Sequence, residues 1–212
     1  MPPSRRTSIG LAKRERTRTS LIEAAYRVFA RKEFEAVTID EIIAEAGVAR
    51  GTFYNYFQTR EEILKAVAAF LREEMKQKLV VLAIDDPAER IALAIRLFLH
   101  QAIRDQTWGG FVVRLGLMAI PLSETIEEGI VTDLEAGIHS KRFPVESQQA
   151  AMALILGTGL MAARTILAKD LTGDLEPDYP EQITQLILIA LGIPEIEAHS
   201  IAFKPLDVVH PS

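Results

Sequence analysis

Apolar residues recur along most of this chain at the three- and four-residue spacing of an amphipathic helix. Alternating apolar and polar runs, the pattern of a half-buried strand, are hard to find. One helix is predicted over residues 13–32, and its apolar face carries Leu21, Ile22, Ala25, Val28 and Phe29. The pattern therefore predicts an all-α fold.

Capping signals divide the first 80 residues into shorter helices. Thr38 followed by Glu41 is a capping box, in which each side chain accepts a hydrogen bond from the other residue's backbone N–H. It predicts a short helix that begins after Thr38. Gly47 is expected to end this helix, because glycine readily takes the left-handed conformation found just beyond helix ends.

Two more helices are predicted before residue 80. A short helix from about Arg50 to Tyr56 is expected to turn Phe53 and Phe57 inward. The sequence Thr-Arg-Glu-Glu at residues 59–62 is another capping box, and it predicts a long helix that runs to about Leu79. The first 80 residues are therefore expected to contain four helices.

The rest of the chain has its own helix boundaries. Asp86 and Pro87 predict a helix start, since aspartate caps the first turn and proline suits the first helical position. Further helices are predicted over Gly110–Ile120, Ser123–Ser140 and Glu146–Lys169. A last helix is predicted to begin at Asp178 and to be ended by Gly192 and Pro194.

Charge is unevenly distributed along the chain, although the net charge is only −5. Residues 1–60 carry +4 and residues 61–212 carry −9. A basic run of this kind is usually a solvated tail, but it also suits contact with a nucleic acid. We predict a disordered basic arm over 1–12, a first helical domain over 13–74 and a second helical domain over 75–212.

Residues 38–57 have the proportions of a helix-turn-helix, in which the second helix enters a major groove. The outward side chains of that second helix can donate hydrogen bonds to phosphates or base edges. They are Arg50, Thr52, Tyr54, Asn55 and Tyr56. A helical hairpin with a polar face would have the same shape, so shape alone leaves both interpretations open.

Several short sequences in this part resemble the DNA-binding domain of the tetracycline repressor (TetR) family, in order, over about residues 14–70. They are Phe29-Ala30, Thr38, Ala46-Gly47-Val48, Gly51-Thr52-Phe53-Tyr54, Tyr56-Phe57 and Arg60-Glu61-Glu62-Ile63-Leu64. The resemblance implies that residues 13–74 form a three-helix DNA-binding domain whose recognition helix covers residues 50–56. Departures from the family pattern occur at Glu33, Val37, Ile43 and Ala49.

The resemblance also implies roles for single residues. Arg50 and Thr52 are expected near base edges, and Tyr54 and Tyr56 on phosphates. The candidate DNA-binding set is Thr38, Arg50, Gly51, Thr52, Tyr54, Asn55, Tyr56 and Arg60. Thr38 and Arg60 are expected to hold the DNA backbone. Ala49 stands where serine commonly caps the recognition helix, which should weaken that cap by about 1 kcal/mol.

A small-molecule effector site is expected in the C-terminal domain, between helices, where large apolar side chains mix with a few polar ones. The candidate ligand-binding residues are Phe98, Arg104, Trp108, Phe111, Leu115 and Met118, with His100 and Val112 beside them. Trp108 and Phe111 are the preferred candidates for the effector pocket, because Gly109 and Gly110 lie between them and are expected to be flexible. Plain core packing is the alternative for each residue.

Dimerisation is expected through two helices of each subunit, as the family resemblance also implies. Gly157, Gly159, Ala162 and Ala163 would let helices approach closely, and the last helix has a wide apolar face around Leu186 and Ile189. The candidate interface residues are Gly157, Ala162, Leu186 and Ile189. An internal core made of the same residues is the alternative.

Other functional classes find little support. The chain has no cysteine, and His100, His139, His199 and His210 lack the spacing of metal ligands. The sequence G-x-G-x-x-A at residues 157–162 mimics a dinucleotide fingerprint, but the preceding apolar run is not rich in β-branched residues. No cofactor, metal or catalytic site is expected. The apolar stretch 150–163 has 14 residues and is expected to be too short for a membrane span.

These observations together predict a cytoplasmic, homodimeric repressor. Its partners would be a palindromic double-stranded DNA operator and a small-molecule effector that releases it. One alternative is a helical protein-interaction module that does not bind DNA. A dinucleotide-binding enzyme is a further, weaker alternative.

Overall fold

The computed structural model of the protein describes residues 5–80, 84–117, 127–168 and 175–206. Within these ranges all regular structure is helical, as the apolar spacing predicts. The chain divides into two compact units, Met1–Glu74 and Met75–Ser212.

The first unit is built on a long N-terminal helix. Helix α1 covers Arg5–Arg31, and a single 3-10 turn follows at Phe34–Ala36. The other helices are α2 (Ile39–Ala46), α3 (Arg50–Tyr54) and α4 (Arg60–Val80), the last of which spans the division between the units. The core of the unit contains Leu21, Phe29, Ile42, Phe53 and Ile63, which have no exposed surface.

Helix α1 begins eight residues earlier than expected. The arm predicted to be disordered over residues 1–12 is helical from Arg5 onward, so that prediction is wrong for residues 5–12. No proline follows Pro3 in this stretch. Since each added residue contributes one backbone hydrogen bond to an existing helix, α1 can extend toward the N-terminus without tertiary contacts.

The predicted caps of α2 are confirmed. The Glu41 N–H donates to the Thr38 hydroxyl (3.3 Å), and the Thr38 N–H donates to the Glu41 carboxylate (3.0 Å). Gly47 adopts a left-handed conformation with φ of 65°. Ala49 precedes α3 without a side-chain cap, as expected for alanine at that position.

The second predicted capping box forms only in part. The Glu62 N–H donates to the Thr59 hydroxyl (3.1 Å), as predicted. The Glu62 carboxylate, however, accepts from the N–H of Gln58 (2.7 Å), one residue before the expected donor. The carboxylate still satisfies a free backbone donor at the start of α4.

The second unit contains six described helices arranged around α5. Its helices are α5 (Pro87–Arg104), α6 (Gln106–Leu117), α7 (Glu127–His139), α8 (Gln148–Leu167), α9 (Tyr179–Ala190) and α10 (Glu195–Ala202). Helix α5 packs against each of the other five. The cap at Asp86 is confirmed, since its carboxylate accepts from the Ala88 N–H at 3.0 Å.

Two predicted boundaries in this unit are wrong. Helix α6 starts at Gln106 rather than Gly110, because the Asp105 carboxylate accepts from the Trp108 N–H (3.0 Å) and caps an earlier turn. The helix predicted to be last is followed by α10, with Pro194 at its N-cap. Proline ends a helix but is well suited to positions where one begins, so Pro194 does both.

Helix α8 is predominantly apolar, and Arg164 is its one charged residue. By length and composition alone it could cross a membrane, with 20 residues and a mean hydropathy of 1.7 in an 18-residue window. The 14-residue stretch expected to be too short for a span therefore belongs to a longer apolar helix. Of that window, 33% is buried inside the unit. The core helix of a soluble protein passes the same test of length and composition.

Candidate nucleic-acid interface

Aromatic packing beneath α3 fixes which side of this helix faces outward. Phe53 and Phe57 are 0% and 2% exposed, and their ring centroids lie 6.0 Å apart. The Tyr54 ring meets Phe53 edge-on at 5.5 Å. The candidate DNA-binding residues of α3 and the turn after it remain accessible: Arg50, Gly51 and Asn55 are exposed, and Thr52, Tyr54 and Tyr56 are half-buried.

Arg50 stands at the start of α3 with a defined environment. Its Nη1 lies 3.0 Å from Oδ1 of Asp40 in α2, and its guanidinium carbon lies 6.0 Å from the Tyr54 ring centroid. A hydrogen bond with Tyr54 and the nearby Asp40 carboxylate raise the pKa of Arg50. Arg50 is therefore always positively charged, and it lies at the end of the turn between α2 and α3.

Thr38 and Glu41 form a polar cluster at the N-terminus of α2. Lys32 donates to the Glu41 carboxylate, as do the backbone N–H and the hydroxyl of Thr38. These hydrogen bonds, that from Lys32 foremost, lower the pKa of Glu41 to about 2. Thr38 is exposed, but its polar groups already bond to Glu41 in the free protein.

Arg60 binds the protein's own backbone. Its Nη1 donates to the carbonyl oxygens of Glu35 (2.9 Å) and Val37 (3.4 Å), and its Nη2 lies 3.1 Å from the Glu61 carboxylate. Arg60 therefore holds the segment between α1 and α2 against the start of α4. No local pattern points to this contact, because Arg60 and Glu35 are 25 residues apart in the sequence.

A polar groove runs between α1 and α3, with a volume of about 550 Å³. Its lining residues are Lys13, Arg14, Thr17, Thr52, Asn55 and Tyr56. The Arg14 guanidinium carbon lies 5.8 Å from the Tyr56 ring centroid. The sequence marks the first three residues only as part of a basic segment, since nothing local relates them to α3.

The candidate effector residues lie in the second unit. Phe98 of α5 meets Trp108 of α6 edge-on, with ring centroids 5.5 Å apart. Trp108, Phe111 and Leu115 are 5%, 0% and 5% exposed. Arg104 is exposed at the end of α5, and Met118 lies outside the described residues.

The glycine pair beside Trp108 is not a flexible joint, contrary to expectation. Gly109 lies within α6 and is buried. A Cβ atom added there would meet Ala102 Cβ and Leu167 Cδ2, each at 3.2 Å. Gly109 therefore allows α6 to approach α5 and α8 closely.

A buried charged cluster connects α5 to α9. Oε1 of Glu181 accepts from Nε and Nη2 of Arg96 at 3.2 and 3.1 Å, and Nε2 of His100 lies 2.9 Å from the same oxygen. Arg96 also donates to the carbonyl of Lys204 (2.7 Å). Burial raises the pKa of Glu181, but the hydrogen bond from His100 and the other donors outweigh it, and the pKa is lowered. The sequence pattern marks Glu181 only as part of a helix start.

The candidate dimer residues on α8 and α9 divide into two groups. Ala162 is 3% exposed within the single chain, so the prediction that it lies at a subunit interface is wrong. Its helical phase turns it toward the core, together with Gly159 and Ala163. Gly157 is exposed, and Leu186 and Ile189 are 60% and 37% exposed.

The dinucleotide-like sequence at residues 157–162 lies inside α8. A phosphate-binding fingerprint needs a strand, a tight turn and a helix N-terminus at this point. Because the glycines are in the middle of a 20-residue helix, their backbone N–H groups are used in the helix itself. In the described part of the chain, no cluster of three or more histidine, aspartate or glutamate residues could hold a metal ion.

Two family descriptions match the chain. Bacterial regulatory proteins of the tetR family match residues 21–67, and the tetracyclin repressor-like C-terminal domain matches residues 86–204. The first match contains α2 and α3. The second contains α5 to α10.

Curated relatives match in the N-terminal part. The HTH-type transcriptional regulator SrpR of Pseudomonas putida is 41% identical over 58 residues, which are 27% of each chain. The uncharacterized HTH-type regulator YerO of Bacillus subtilis is 38% identical over 50 residues, 24% of this chain and 17% of that relative. The alignments with three Bacillus subtilis regulators span between 17% and 32% of their length.

Solved structures match over nearly the whole chain. RolR in complex with resorcinol is 31% identical, with a TM-score of 0.72 over 92% of this chain and 97% of that chain. FadR of Bacillus subtilis in complex with stearoyl-CoA is 22% identical, with a TM-score of 0.61, and shares the fold. Since both family descriptions match and RolR is similar along almost its full length, the chain belongs to the TetR family and is a DNA-binding transcriptional regulator.

Proposed function

We propose that this regulator is a repressor, which binds a palindromic operator as a homodimer and leaves it when a small molecule binds the second unit. The observation that carries the proposal is the anchored recognition helix. Phe53 is fully buried beneath it, while the side chain of Arg50 is 66% exposed at its start. Such a helix can present its polar side to a major groove without rearrangement of the core.

The proposed dimer uses the exposed apolar side of α8 and α9. These two helices pack against one another within the chain. Their accessible apolar side chains include Met161, Leu186 and Ile189, which are 48%, 60% and 37% exposed. Two helices from each subunit would form a four-helix interface. In the dimer, the recognition helices must lie about 34 to 36 Å apart to meet successive major grooves.

The proposed effector is a small hydroxylated aromatic molecule that binds near Phe98, Trp108 and Phe111. RolR, to which this chain is similar, has been crystallised with resorcinol. Aromatic side chains of α5 and α6 meet in this segment, which suits an aromatic ligand. We propose a cytoplasmic location and no catalytic activity, because the matched relatives are bacterial transcriptional regulators.

Selection of binding sites tests DNA recognition. Purified protein would be incubated with a pool of random-sequence DNA duplexes, and the retained duplexes amplified and sequenced over several rounds. The expected result is an inverted repeat with half-site centres about 10 base pairs apart, or a multiple of that. A pool with no enriched sequence, and no salt-dependent retention of any duplex, would favour the protein-interaction alternative.

Calorimetry tests control by the effector. Resorcinol would be titrated into the protein alone and into its complex with the selected operator. Because coupling between two sites is reciprocal, a ligand that weakens operator binding must itself bind less tightly in the complex, by the same factor. A coupling of about 3 kcal/mol corresponds to roughly 100-fold. Equal affinities in the two titrations would exclude resorcinol as a releasing effector, and analogues would be tested in the same way.

A further inference from the structure

We propose that the groove between α1 and α3 holds one phosphate of the operator backbone, with Lys13 and Arg14 as its charged ligands. This inference rests on the proposed function, because it takes duplex DNA as the partner. It goes further by naming α1 as a second DNA-contacting element beside α3. By binding this phosphate, Arg14 would position the recognition helix on the DNA.

The chemistry of the lining residues fits a phosphodiester. Each of the six described residues that line the groove carries a hydrogen-bond donor, and none of the six is acidic. Lys13 and Arg14 supply the positive charge, and the hydroxyls and the amide supply neutral donors. A phosphodiester has one negative charge and two unesterified oxygens, which accept hydrogen bonds from this kind of donor set.

Both walls of the groove would contact the same phosphate. Lys13, Arg14 and Thr17 come from α1, whereas Thr52, Asn55 and Tyr56 come from α3 and the turn that follows it. A phosphate held between the two walls would fix how far α3 lies from the DNA backbone. Contacts of this kind set the register of a recognition helix and carry no sequence information themselves.

The Tyr56 ring prepares Arg14 for this contact. The guanidinium carbon lies 5.8 Å from the ring centroid, within the range of a cation–π interaction. A stacked guanidinium loses less rotamer freedom when it binds an oxyanion. Tyr56 would then have two functions: its ring orients Arg14, and its hydroxyl donates to the phosphate.

The neighbouring cation Arg16 provides a matched control. It lies on the same helix and is exposed, but it does not line the groove. Arg14→Gln and Arg16→Gln therefore remove the same charge, two residues apart. Long-range attraction to DNA should fall almost equally in both variants, so any difference between them isolates the groove.

The experiment measures the affinity of each variant for the selected operator duplex by fluorescence anisotropy, from about 50 to 300 mM salt. For Arg14→Gln, we expect affinity to fall about tenfold or more, as for loss of a hydrogen bond to a charged group. The slope of log affinity against log salt should also become shallower by about 0.9 for each protomer. Arg16→Gln should change both quantities much less.

Two substitutions of Tyr56 separate its ring from its hydroxyl. Tyr56→Phe keeps the cation–π contact and should weaken binding less than Tyr56→Leu, which removes it. Lys13→Gln provides a second test of the charge in the groove and should make the salt slope shallower, as Arg14→Gln does. Circular dichroism melting of each variant shows whether the fold is retained.

The outcomes distinguish this inference from the proposed function. If the wild-type protein selects an operator but Arg14→Gln and Arg16→Gln have the same affinity and salt slope, the groove holds no phosphate and the inference is wrong. The proposed function would stand in that case. If the wild-type protein binds no duplex at all, the phosphate site and the proposed function are both wrong.

Discussion

Arg50 at the start of the recognition helix is paired with Asp40 of the preceding helix, with Nη1 3.0 Å from Oδ1, although both side chains are about two-thirds exposed. An exposed pair of this kind contributes little to stability, because water screens both charges. Arg50 must give up that interaction if it reaches a base edge. Asp40 also places a carboxylate on the surface that is proposed to face phosphates.

Asp40→Asn should therefore tighten operator binding by up to about fivefold, since it frees Arg50 and removes a repulsive charge. Anisotropy titration at a fixed salt concentration measures the change. Glu23→Gln is the control, because it removes an exposed carboxylate from α1 instead. An equal gain in both variants would mean that net charge alone is responsible. Weaker binding by Asp40→Asn would mean that the carboxylate positions Arg50 for DNA.

Arg60→Ala should lower the free energy of unfolding by about 1 kcal/mol. Its guanidinium donates to the carbonyls of Glu35 and Val37, and hydrogen bonds to charged groups are stronger than neutral ones, but the side chain is one-third exposed. Arg16→Ala makes the same substitution at an exposed position of α1 and should stay within about 0.5 kcal/mol of the wild type. Urea denaturation measures both. Equal stabilities would show that the Arg60 contacts do not hold the 3-10 segment.

The lowered pKa of Glu41 predicts a specific loss of stability in acid. The pKa of the Glu41 carboxyl is about 4.5 in the unfolded chain and about 2 in the folded protein, chiefly because Lys32 and Thr38 donate hydrogen bonds to its carboxylate. A depressed folded pKa means that the stabilising contribution is complete above about 4.5 and is lost as the pH falls toward 2.

Glu41→Gln tests this pH dependence. The difference in urea midpoint between wild type and variant should be largest near neutral pH and shrink steadily below pH 4.5. Glu33→Gln provides a control substitution at another exposed glutamate. A difference that does not change with pH would show that the Glu41 carboxylate is not stabilised by these donors in solution.

Leu186→Glu should convert the protein from dimers to monomers. Leu186 is 60% exposed in the single chain, so glutamate is tolerated in the monomer but would be buried without a partner in the proposed interface. Sedimentation velocity measures the change. Ile196→Glu is the control, because Ile196 is 88% exposed on α10, outside α8 and α9. A stable Leu186→Glu dimer would place the interface elsewhere.

Local signals in the sequence predicted local structure well. The caps at Thr38, Gly47 and Asp86 are confirmed, because each depends on residues only a few positions apart. Contacts between distant segments have no such signal. Arg60 and Glu35, or Arg96 and Glu181, are brought together only by the tertiary fold.

The sequence also did not show which residues of α8 are buried and which are exposed. Ala162 and Gly157 are both small residues on an apolar helix, yet one is buried and the other exposed. Because α8 is apolar around most of its circumference, periodicity cannot show which side meets the core. Which side of α8 is buried depends on the helices that pack against it in the folded unit.

Specific recognition of the operator is proposed to depend on the exposed side chain of Arg50 at the start of α3. Wild type and Arg50→Ala would be titrated against the selected operator and a scrambled duplex of equal length at the same salt concentration. We expect Arg50→Ala to lose about tenfold to 100-fold in affinity for the operator, the range for one base contact, with a much smaller loss on the scrambled duplex. Unchanged operator affinity in a folded Arg50→Ala protein would mean that α3 does not recognise the operator through Arg50.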